Sequence, residues 1–465
     1  MPNLRRASVA GLKLVERARK QRNWNRDAAI WYTNASVSEP TLKRFWQRVN
    51  IRRENFNNIC QAVDLNPDDI CEPELDEKLL GEMEIAVLDR EWVGRESLMI
   101  DIVAKIQKYH RIILLLGITG IGKTALAESL IVRLRGNWNE LRENCENQDR
   151  SKDFTTVVTS WLTSWGDRVS PDAQSNPEQL LSQITNKLCT GKYLILMDSL
   201  EYLLVTESND TWGDFNDSWW GLLFQKLLSA PTCHSRIILT SQDFPVQLAT
   251  ECARYPKLWH REVLRGLLAS EQKDLFTKLG FAEDLATEDS RLISIGNIYD
   301  GHPLALRVIA GEIKTYWHSN IRAYWRENSR YIEEVQTALK AAREGENEGR
   351  EDRWKLASYT VELARFVQKR IDITFDRLKE QIPIAYELIC MASIYRCEVP
   401  EGFWLSHLQF EGYDREQQKL AMTALRDRFL IEEGSFTQTD ERLVSQHNLI
   451  RSIAISHRLI LFGDK

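Results

Sequence analysis

One octapeptide of this 465-residue chain has the residue types and spacing of a phosphate-binding loop. Gly117-Ile-Thr-Gly-Ile-Gly-Lys-Thr124 fits the pattern G-x-x-x-x-G-K-[ST] at every position. Its glycines let backbone N–H groups turn towards phosphate oxygens, and the following helix adds the partial charge of its N-terminus. The expected ligands are ATP and ADP, with Lys123 between the β- and γ-phosphates of ATP and the Thr124 hydroxyl on Mg²⁺. The predicted nucleotide contacts here are Gly117, Thr119, Gly120, Ile121, Gly122, Lys123, Thr124 and Ala125.

Two further apolar segments end in polar side chains that could face the phosphates. Residues 193–198 (YLILMD) predict a buried strand that delivers the Asp198 carboxylate at its end, where a magnesium site needs it. Residues 235–242 predict a strand whose last residue, Gln242, can lie beside the γ-phosphate. Without the loop, ordinary strand ends would be the simpler interpretation. With the loop present, we predict Lys123 and Asp198 as catalytic residues, and Thr124 and Asp198 as magnesium ligands.

Strands and helices must alternate around the loop to place these groups. Apolar runs at 112–116, 154–161, 193–197 and 236–239 are strand candidates, and a helix is expected from Ala125 onwards. Strand–helix alternation from about 85 to 265 predicts a mostly parallel sheet covered by helices on both faces.

The first seventy residues have a different pattern, which predicts short amphipathic helices. Helices are expected at 11–21, 25–33 and 53–63, and another is expected to begin at Ser38, an N-cap residue, with Pro40 in its first turn. In that helix Leu42, Phe45 and Trp46 have the i, i+3, i+4 spacing of an inward face.

Charge separates this segment from the rest of the chain. Residues 1–60 contain 13 Lys+Arg and 4 Asp+Glu, a balance of +9, whereas the remainder has 48 against 63, a balance of −15. A basic module on an acidic body indicates an anionic partner such as nucleic acid.

Composition bounds the class of protein. A chain of 465 residues with 43% hydrophobic and 28% charged residues is typical of a globular protein with several domains. Neither an apolar run long enough to span a membrane nor a secretory leader is visible. The eight cysteines are scattered without a C-x-x-C pair, which favours a reducing cytoplasm over zinc or disulfides.

The remaining segments complete the predicted domain organisation. Residues from 71 to 84 are acidic, 266 to about 370 are helical with a charged piece at 340–353, and the end alternates helices with short strands that include 428–432. We therefore predict five successive parts: 1–70 a helical module, 71–88 a linker, 89–265 a nucleotide-binding domain, 266–365 a helical domain with a charged insertion, and 366–465 a last domain.

Several motifs in order resemble those of the NB-ARC ATPases of the STAND class, over about residues 90–460. Residues 91–96 (EWVGRE) look like the family's opening segment, which implies Val93 and Arg95 near the adenine. Residues 301–306 (GHPLAL) are similar to its G-L-P-L-A motif, which implies that Pro303 packs on the base. Residues 446–451 (QHNLIR) lie where the family has Met-His-Asp, which implies that His447 contacts the ADP β-phosphate.

This resemblance implies a multi-domain α/β fold with four named parts. These are a helical helix-turn-helix (HTH) module, a P-loop NTPase domain with a parallel sheet in an αβα sandwich, a helical domain and a winged-helix domain. It also implies a switch in which ADP holds a closed form and ATP favours an open, self-associating form. His447 would be the latch, because a group from a separate domain reaches phosphate only in the closed form. The alternative, a core or surface histidine, stays open.

Three positions depart from the family's pattern. Ser199 stands where a second acid often follows the Walker aspartate, so Glu201 becomes the candidate that polarises the attacking water. Gln242 stands where an arginine commonly reads the γ-phosphate, and Asn448 replaces the aspartate of Met-His-Asp. A neutral amide offers no charge to the transition state, so we predict a slow ATPase in which nucleotide acts as a conformational ligand.

The amino-terminal helices resemble a lambda-repressor-type helix-turn-helix. That resemblance implies that Ser38, Thr41, Lys43 and Arg44 meet base edges, and that Arg48, Arg52 and Arg53 contact phosphates. A basic module that docks a protein is the alternative. Self-association through the ATPase would strengthen a weak single contact with DNA.

Together these features predict a cytoplasmic, nucleotide-switched signalling protein whose helix-turn-helix output binds DNA and regulates transcription. The alternatives are a signalling or defence scaffold whose basic module docks a protein, and a processive DNA-remodelling ATPase, which the Ser199 and Gln242 departures disfavour. We find no internal period of 20–50 residues that would predict a repeat sensor, so a separate sensor protein is one expected partner.

Overall fold

The computed structural model describes residues 4–47, 49, 51–71, 92–146, 153–205, 213–282, 291–345, 358–436 and 441–463. The chain divides into two compact units, Met1–Glu84 and Ile85–Lys465. Most of the predicted linker at 71–88 and of the charged insertion after 345 lies outside the described residues.

The amino-terminal unit is helical with one short strand pair. Its helices are α1 (Val9–Gln21), α2 (Ala29–Asn34), α3 (Glu39–Trp46), α4 (Arg53–Gln61) and α5 (Pro67–Ile70), and β1 (Leu4–Arg5) pairs antiparallel with β2 (Ile51–Arg52). The helices predicted at 11–21 and 53–63 are confirmed within two residues. The helix predicted at 25–33 begins later, at Ala29, because residues 25–28 form a turn.

The core of this unit lies under α3. Leu42 and Phe45 are buried and Trp46 is half-buried, in agreement with the predicted inward face. Ser38 holds the N-cap position, and Pro40 lies in the first turn. The Ser38 hydroxyl bonds the Thr41 hydroxyl at 2.8 Å and caps no backbone N–H.

A five-stranded parallel sheet forms the centre of the second unit, as predicted. Its order is β4-β5-β6-β3-β7, with all described neighbours parallel. The strands are β3 (Ile112–Leu116), β4 (Asn139–Asn144), β5 (Tyr193–Asp198), β6 (Arg236–Ser241) and β7 (Trp259–Val263). The predicted strands at 112–116, 193–197 and 236–239 are therefore confirmed.

Helices cover both faces of this sheet. They are α6 (Glu96–Lys108), α7 (Lys123–Leu134), α8 (Phe154–Ser164), α9 (Pro171–Gln174), α10 (Pro177–Thr190), α11 (Ser218–Ser229) and α12 (Ala249–Arg254), with 3-10 turns at Leu200–Leu203 and Val246–Leu248. Alternate residues of β3 enter two different cores: Ile113 and Leu115 one, Ile112 and Leu114 the other. A strand buried on both faces explains the continuous apolar run.

Two errors of the sequence reading concern this sheet. Residues 154–161 form helix α8 instead of a strand, because Asp153 caps it by accepting from the Thr156 N–H, and Phe154, Val158 and Trp161 recur at helical spacing on its buried face. The edge strands β4 and β7 were not predicted. Their residues are mostly polar and partly exposed, so neither strand contains an apolar run.

The rest of the second unit is mostly helical. It comprises α13 (Ala269–Lys278), α14 (Arg291–Ile298), α15 (Pro303–Thr315), α16 (Ile321–Glu327), α17 (Ser329–Gly345), α18 (Ser358–Gln381), α19 (Pro383–Met391), α20 (Glu401–Phe410), α21 (Arg415–Asp427) and α22 (Asn448–Phe462), with a 3-10 turn at Ala392–Ile394. The strands β8 (Val399–Pro400), β9 (Glu432–Phe436) and β10 (Arg442–Ser445) form an antiparallel sheet in the order β8-β10-β9.

Two details differ from the predicted organisation. The boundary predicted between 365 and 366 falls inside α18. The strand predicted at 428–432 is wrong, because 428–431 form the turn that ends α21, with Phe429 at φ 53°, and β9 begins only at Glu432. The names helix-turn-helix and winged helix remain predictions for their regions.

One hydrophobic core runs from the sheet into the carboxyl-terminal region. It joins Leu115 and Leu126 beside the loop to Leu306 of α15 and Ile450 of α22. This packing fixes the amino-terminal ends of α15 and α22 relative to β3 and α7. Across the described ranges, we find no helix with the length and apolar character needed to span a bilayer.

Candidate functional site

The loop between β3 and α7 has the glycine conformations that its sequence predicts. Gly120 and Gly122 have φ of +81° and +95°, in the left-handed region that favours glycine. Residues 112–134 thus form a strand, a glycine-rich loop and a helix within a parallel sheet, which makes this part of the chain a P-loop α/β domain.

Lys123 is turned into this loop. Its Nζ donates to the carbonyl oxygens of Gly117 at 2.8 Å and Ile118 at 3.2 Å. Burial lowers the pKa of Lys123, while the carboxylates of Glu201 and Asp198 act in the opposite direction. The loop therefore holds a buried amine beside carboxylates, where a phosphate would find a close cation.

Asp198 meets two hydroxyls at the carboxyl edge of the sheet. Its Oδ1 accepts from Thr124 Oγ1 at 2.9 Å and from Thr240 Oγ1 at 2.5 Å. Thr240 in turn accepts from the Ser199 N–H at 2.9 Å. Burial raises the pKa of Asp198, and both hydroxyl bonds act to lower it. Thr240, which our sequence reading passed over in favour of Gln242, is thus the β6 residue that touches this carboxylate.

The donor set suits magnesium when phosphate is also present. A hydroxyl and a carboxylate oxygen are the hard ligands that Mg²⁺ takes from proteins, which usually leave further positions to phosphate and water. Among the described residues, no group of three or more His, Cys, Asp or Glu side chains could hold a metal alone. Thr124 and Asp198 therefore fit an ion shared with a bound nucleotide.

Glu201 lies beside this carboxylate but is already engaged. Its Oε2 accepts from the Gln242 backbone N–H at 3.2 Å, and its Oε1 accepts from Gln242 Nε2 at 2.9 Å. The turn that brings it there begins at Ser199, whose φ is +62°. The sequence predicted Glu201 and Gln242 at this edge of the sheet, and in the structure they are hydrogen-bonded to each other.

Arg95 contacts the phosphate-binding loop from outside the sheet. Its Nη2 donates to the carbonyl oxygens of Ile121 and Arg265, each at 2.7 Å, and its backbone N–H bonds the Glu271 carboxylate. Burial lowers the pKa of Arg95 to about 10. The Arg95 guanidinium therefore stabilises the loop. Val93, two residues earlier, is half-buried. Contact of Val93 and Arg95 with adenine remains a prediction.

His302 enters the loop from the start of α15, next to Pro303 at the first helical position. Its Nδ1 accepts from the Ala305 N–H at 3.2 Å, and its Nε2 lies 3.0 Å from the Thr119 carbonyl oxygen. The ring is fully buried. The sequence did not predict a separate role for this histidine, and its position between glycine and proline was the one signal for it.

His447 caps the last helix close to Lys123. Its Nδ1 accepts from the Leu449 N–H at 3.1 Å. Burial, followed by the positive charges of Lys123 and Arg307, lowers the pKa of His447 to about 4. The structure thus places a neutral imidazole from the carboxyl-terminal region near the amine of the phosphate-binding loop.

A second contact between these regions was not predicted. Arg451, one turn after His447, forms an ion pair with Glu146, and both side chains are nearly buried, at 11% and 8% exposure. The Tyr202 hydroxyl also bonds Glu146; burial and then this carboxylate raise the pKa of Tyr202 to about 12. Partners 305 residues apart in the chain leave no local sequence signal.

The residues predicted to meet base edges lie in and before α3. Lys43 and Arg44 are exposed, and Lys43 pairs with Glu39 at 2.6 Å, which raises the pKa of Lys43. Ser38 and Thr41 share the hydroxyl bond described above. Arg48 lies outside the described residues, whereas Arg52 in β2 and Arg53 at the start of α4 are exposed.

No protein-family model matches the chain, and no curated protein matches it. Among solved structures it is similar to Drosophila ORC bound to DNA, with 14% identity, coverage of 83% of this chain and 99% of that chain, and a TM-score of 0.32. It is also similar to CDC6P from Pyrobaculum aerophilum, with 13% identity, coverage of 80% and 98%, and a TM-score of 0.34. A third likeness is to the FIGL-1 AAA domain in complex with ADP, with 13% identity, coverage of 59% and 82%, and a TM-score of 0.28.

Proposed function

We propose that the unit Ile85–Lys465 binds ATP and ADP with Mg²⁺ at the loop Gly117–Thr124. The observation that carries this proposal is the convergence of Lys123, Thr124 and Asp198 at the carboxyl edge of a parallel sheet. A loop with left-handed glycines before a helix N-terminus binds anions through backbone N–H groups. Hydrogen-bonded to Asp198, the exposed Thr124 hydroxyl adds the oxygen ligand that a nucleotide-bound magnesium needs.

The same site supports slow hydrolysis. When bound, Mg²⁺ would neutralise phosphate charge between Thr124 and Asp198. Glu201, the residue predicted to polarise water, has both oxygens bonded to Gln242, so it must leave that partner before it can act as a base. Gln242 offers no positive charge to the transition state. Nucleotide would then serve mainly as a conformational ligand, as in the STAND class.

We assign His447 as a contact that forms only in a closed, ADP-bound state. The residue belongs to the carboxyl-terminal region, which we interpret as a winged-helix domain after a helical domain. The Arg451–Glu146 ion pair supports this closed arrangement. ATP would favour an open state in which the chain self-associates, because a ligand shifts an equilibrium only by binding the two states unequally.

The output in this proposal is the amino-terminal helix-turn-helix, with DNA as its partner and transcription as the regulated process. Exposed Lys43 and Arg44, together with the basic charge of residues 1–60, support DNA over a neutral ligand. A separate sensor protein and a cytoplasmic location belong to the same proposal. Docking of a protein partner by the same module is the competing outcome.

Nucleotide binding is tested with Lys123→Ala, with Lys226→Ala at an exposed position of α11 as a matched control. Loss of a charge-assisted contact predicts an affinity for ATP and ADP lower by about 10- to 100-fold, as measured by calorimetry. The control should bind like the wild type. Equal affinity in the wild type and Lys123→Ala would refute the assignment of the loop.

The switch is tested by measuring mass in solution with ADP and with a non-hydrolysable ATP analogue. We expect a monomer with ADP and a larger species with the analogue. An identical mass in both conditions would contradict nucleotide-dependent self-association while leaving binding itself intact.

DNA binding is tested by gel shift at several salt concentrations, with and without ATP. Lys43→Ala/Arg44→Ala should weaken binding to a preferred sequence more than Lys13→Ala/Arg17→Ala, which removes the same charge from α1. Equal losses would indicate charge attraction alone. Absence of DNA binding at low salt would favour the protein-docking alternative.

A further inference from the structure

The cap of helix α15 is made by an imidazole, which restricts where its proton can lie. His302 occupies the N-cap position with non-helical φ and ψ of −65° and 110°, and its Nδ1 accepts from the Ala305 N–H at 3.2 Å. A nitrogen that accepts a hydrogen bond carries no proton. The one proton of the neutral ring must therefore lie on Nε2.

This proton has a partner in the phosphate-binding loop. Nε2 of His302 lies 3.0 Å from the carbonyl oxygen of Thr119, so the N–H donates to it. Burial, with smaller contributions from His447, Arg95 and Lys123, lowers the pKa of His302 to about 3. The ring is neutral at ordinary pH, and both nitrogens are used by the protein.

The ring also packs directly on the loop backbone. A Cβ added to Gly120 would lie 2.8 Å from His302 Cε1, closer than side chains approach. Glycine at 120 is thus required twice, by its φ of +81° and by this contact. The described peptide bonds are trans, so fixing the Thr119 carbonyl towards His302 turns the N–H of Gly120 away from it.

We propose that His302 is a positioning residue that holds the Thr119–Gly120 peptide of the phosphate-binding loop in its nucleotide-ready orientation. It does so from the start of α15, 183 residues away in the chain, and makes the loop's conformation depend on the docking of that helix. His302 touches no phosphate in this proposal, and acts through the Gly120 N–H. The expected effect of His302 on nucleotide affinity rests on the function proposed above. The hydrogen bond from His302 to the Thr119 carbonyl does not depend on that function.

Two substitutions separate the two roles of the ring. In His302→Gln, the side-chain Nε2–H2 has the same number of bonds from Cα as the imidazole Nε2, so it can donate to Thr119 while the cap is lost. In His302→Asn, Oδ1 matches Nδ1 and can cap α15, a role that asparagine fills well, while the link to Thr119 is lost.

The first measurement needs no nucleotide. Amide hydrogen exchange of the segment 117–124 should rise in His302→Asn and stay near wild type in His302→Gln, because of the two roles of the ring only the link to Thr119 holds the loop. Imidazole ¹⁵N spectra of the wild type should show the tautomer protonated on Nε2. Equal exchange in the two variants, or a ring protonated on Nδ1, would overturn the link.

The second measurement is affinity for ADP. His302→Asn should bind about 3- to 10-fold more weakly than the wild type, the effect of one hydrogen bond, and His302→Gln should bind within about twofold of it. A merely structural role would lower affinity in both variants together with their unfolding temperatures. If the wild type fails to bind nucleotide, the proposed function is refuted, while the exchange comparison still decides whether His302 holds the loop.

Discussion

Two histidines near Lys123 cap helices in the same way but differ in what their second nitrogen does. His302 begins α15 and His447 begins α22, and each accepts a backbone N–H at Nδ1, from Ala305 at 3.2 Å and from Leu449 at 3.1 Å. Both rings lie close enough to Lys123 for its charge to lower their pKa. Their Nε2 atoms, which must carry the proton in both neutral rings, separate them.

Nε2 of His302 donates to the Thr119 carbonyl, whereas the part of the chain that the structure describes offers no acceptor to Nε2 of His447. The first ring is therefore satisfied by the protein itself, and its contact needs no ligand. The second ring leaves one donor beside a buried amine, where a phosphate oxygen could accept from it. The His302 cap therefore stabilises the loop itself, while the His447 cap suits a contact that depends on the ligand.

The largest expected effect comes from the ion pair that holds His447 in place. In Arg451→Glu, two carboxylates face each other at a nearly buried site, and breaking such a pair costs about 3–5 kcal/mol. We expect this variant to lose the closed state and to form the larger species even with ADP, as measured by light scattering. Nothing in this change touches His302, so exchange protection of the phosphate-binding loop should persist.

The reversed pair Glu146→Arg/Arg451→Glu is its control. If the ion pair holds the two regions together, the double variant should recover part of the monomeric fraction. A monomeric Arg451→Glu protein would show that the pair has no part in closure.

Stability in the absence of nucleotide should distinguish the two histidines. His302→Ala removes a cap and leaves the carbonyl of half-buried Thr119 without its donor, a loss of about 2–4 kcal/mol. His447→Ala removes only a cap, a loss of about 1 kcal/mol. Thermal unfolding of both variants measures this, and equal losses would contradict the difference in their engagement.

Affinity for ADP should respond to His447 through a direct contact. His447→Ala loses a hydrogen bond to a charged phosphate, which predicts affinity lower by about 10-fold and a larger ATP-bound, oligomeric fraction. His234→Ala, which removes an exposed histidine elsewhere, should change neither. Unchanged nucleotide occupancy and mass in His447→Ala would remove its role as a latch.

The smallest effect concerns protons. Burial lowers the pKa of His302 to about 3 and that of His447 to about 4, from an ordinary 6.5. Between the folded and unfolded pKa values, the unfolded chain binds more protons than the folded chain. The stability that the two neutral rings contribute is therefore complete above pH 6.5 and is lost as the pH falls towards 4. A phosphate at His447 favours its charged form, so ADP binding at about pH 6 should take up a fraction of one proton.

Calorimetry in buffers of different ionisation enthalpy measures that uptake. It should disappear in His447→Ala and persist in His302→Gln, whose lost ring takes no part in ligand binding. Proton uptake that depends on His302 and not on His447 would contradict the assignment of His447 as the histidine that contacts the ligand.

How far the sequence predicted this molecule varies with the kind of element. Ile112–Leu116, Tyr193–Asp198 and Arg236–Ser241 are central strands with apolar runs, and the sequence reading found all three. The edge strands Asn139–Asn144 and Trp259–Val263 are half exposed and polar, so they lack that signal. In Phe154–Ser164, β-branched residues suggested a strand, and packing with a capping aspartate produced a helix.

The phosphate-binding loop could be predicted from the sequence alone, because it depends on glycine, lysine and threonine at fixed local spacing before a helix. So could the strand that delivers Asp198. The distant groups that complete the site are visible only in the folded chain: Thr240 on Asp198, Arg451 on Glu146, and His302 on Thr119. These contacts join residues far apart in the chain, and they form only after helices and strands pack against each other, which local spacing does not encode.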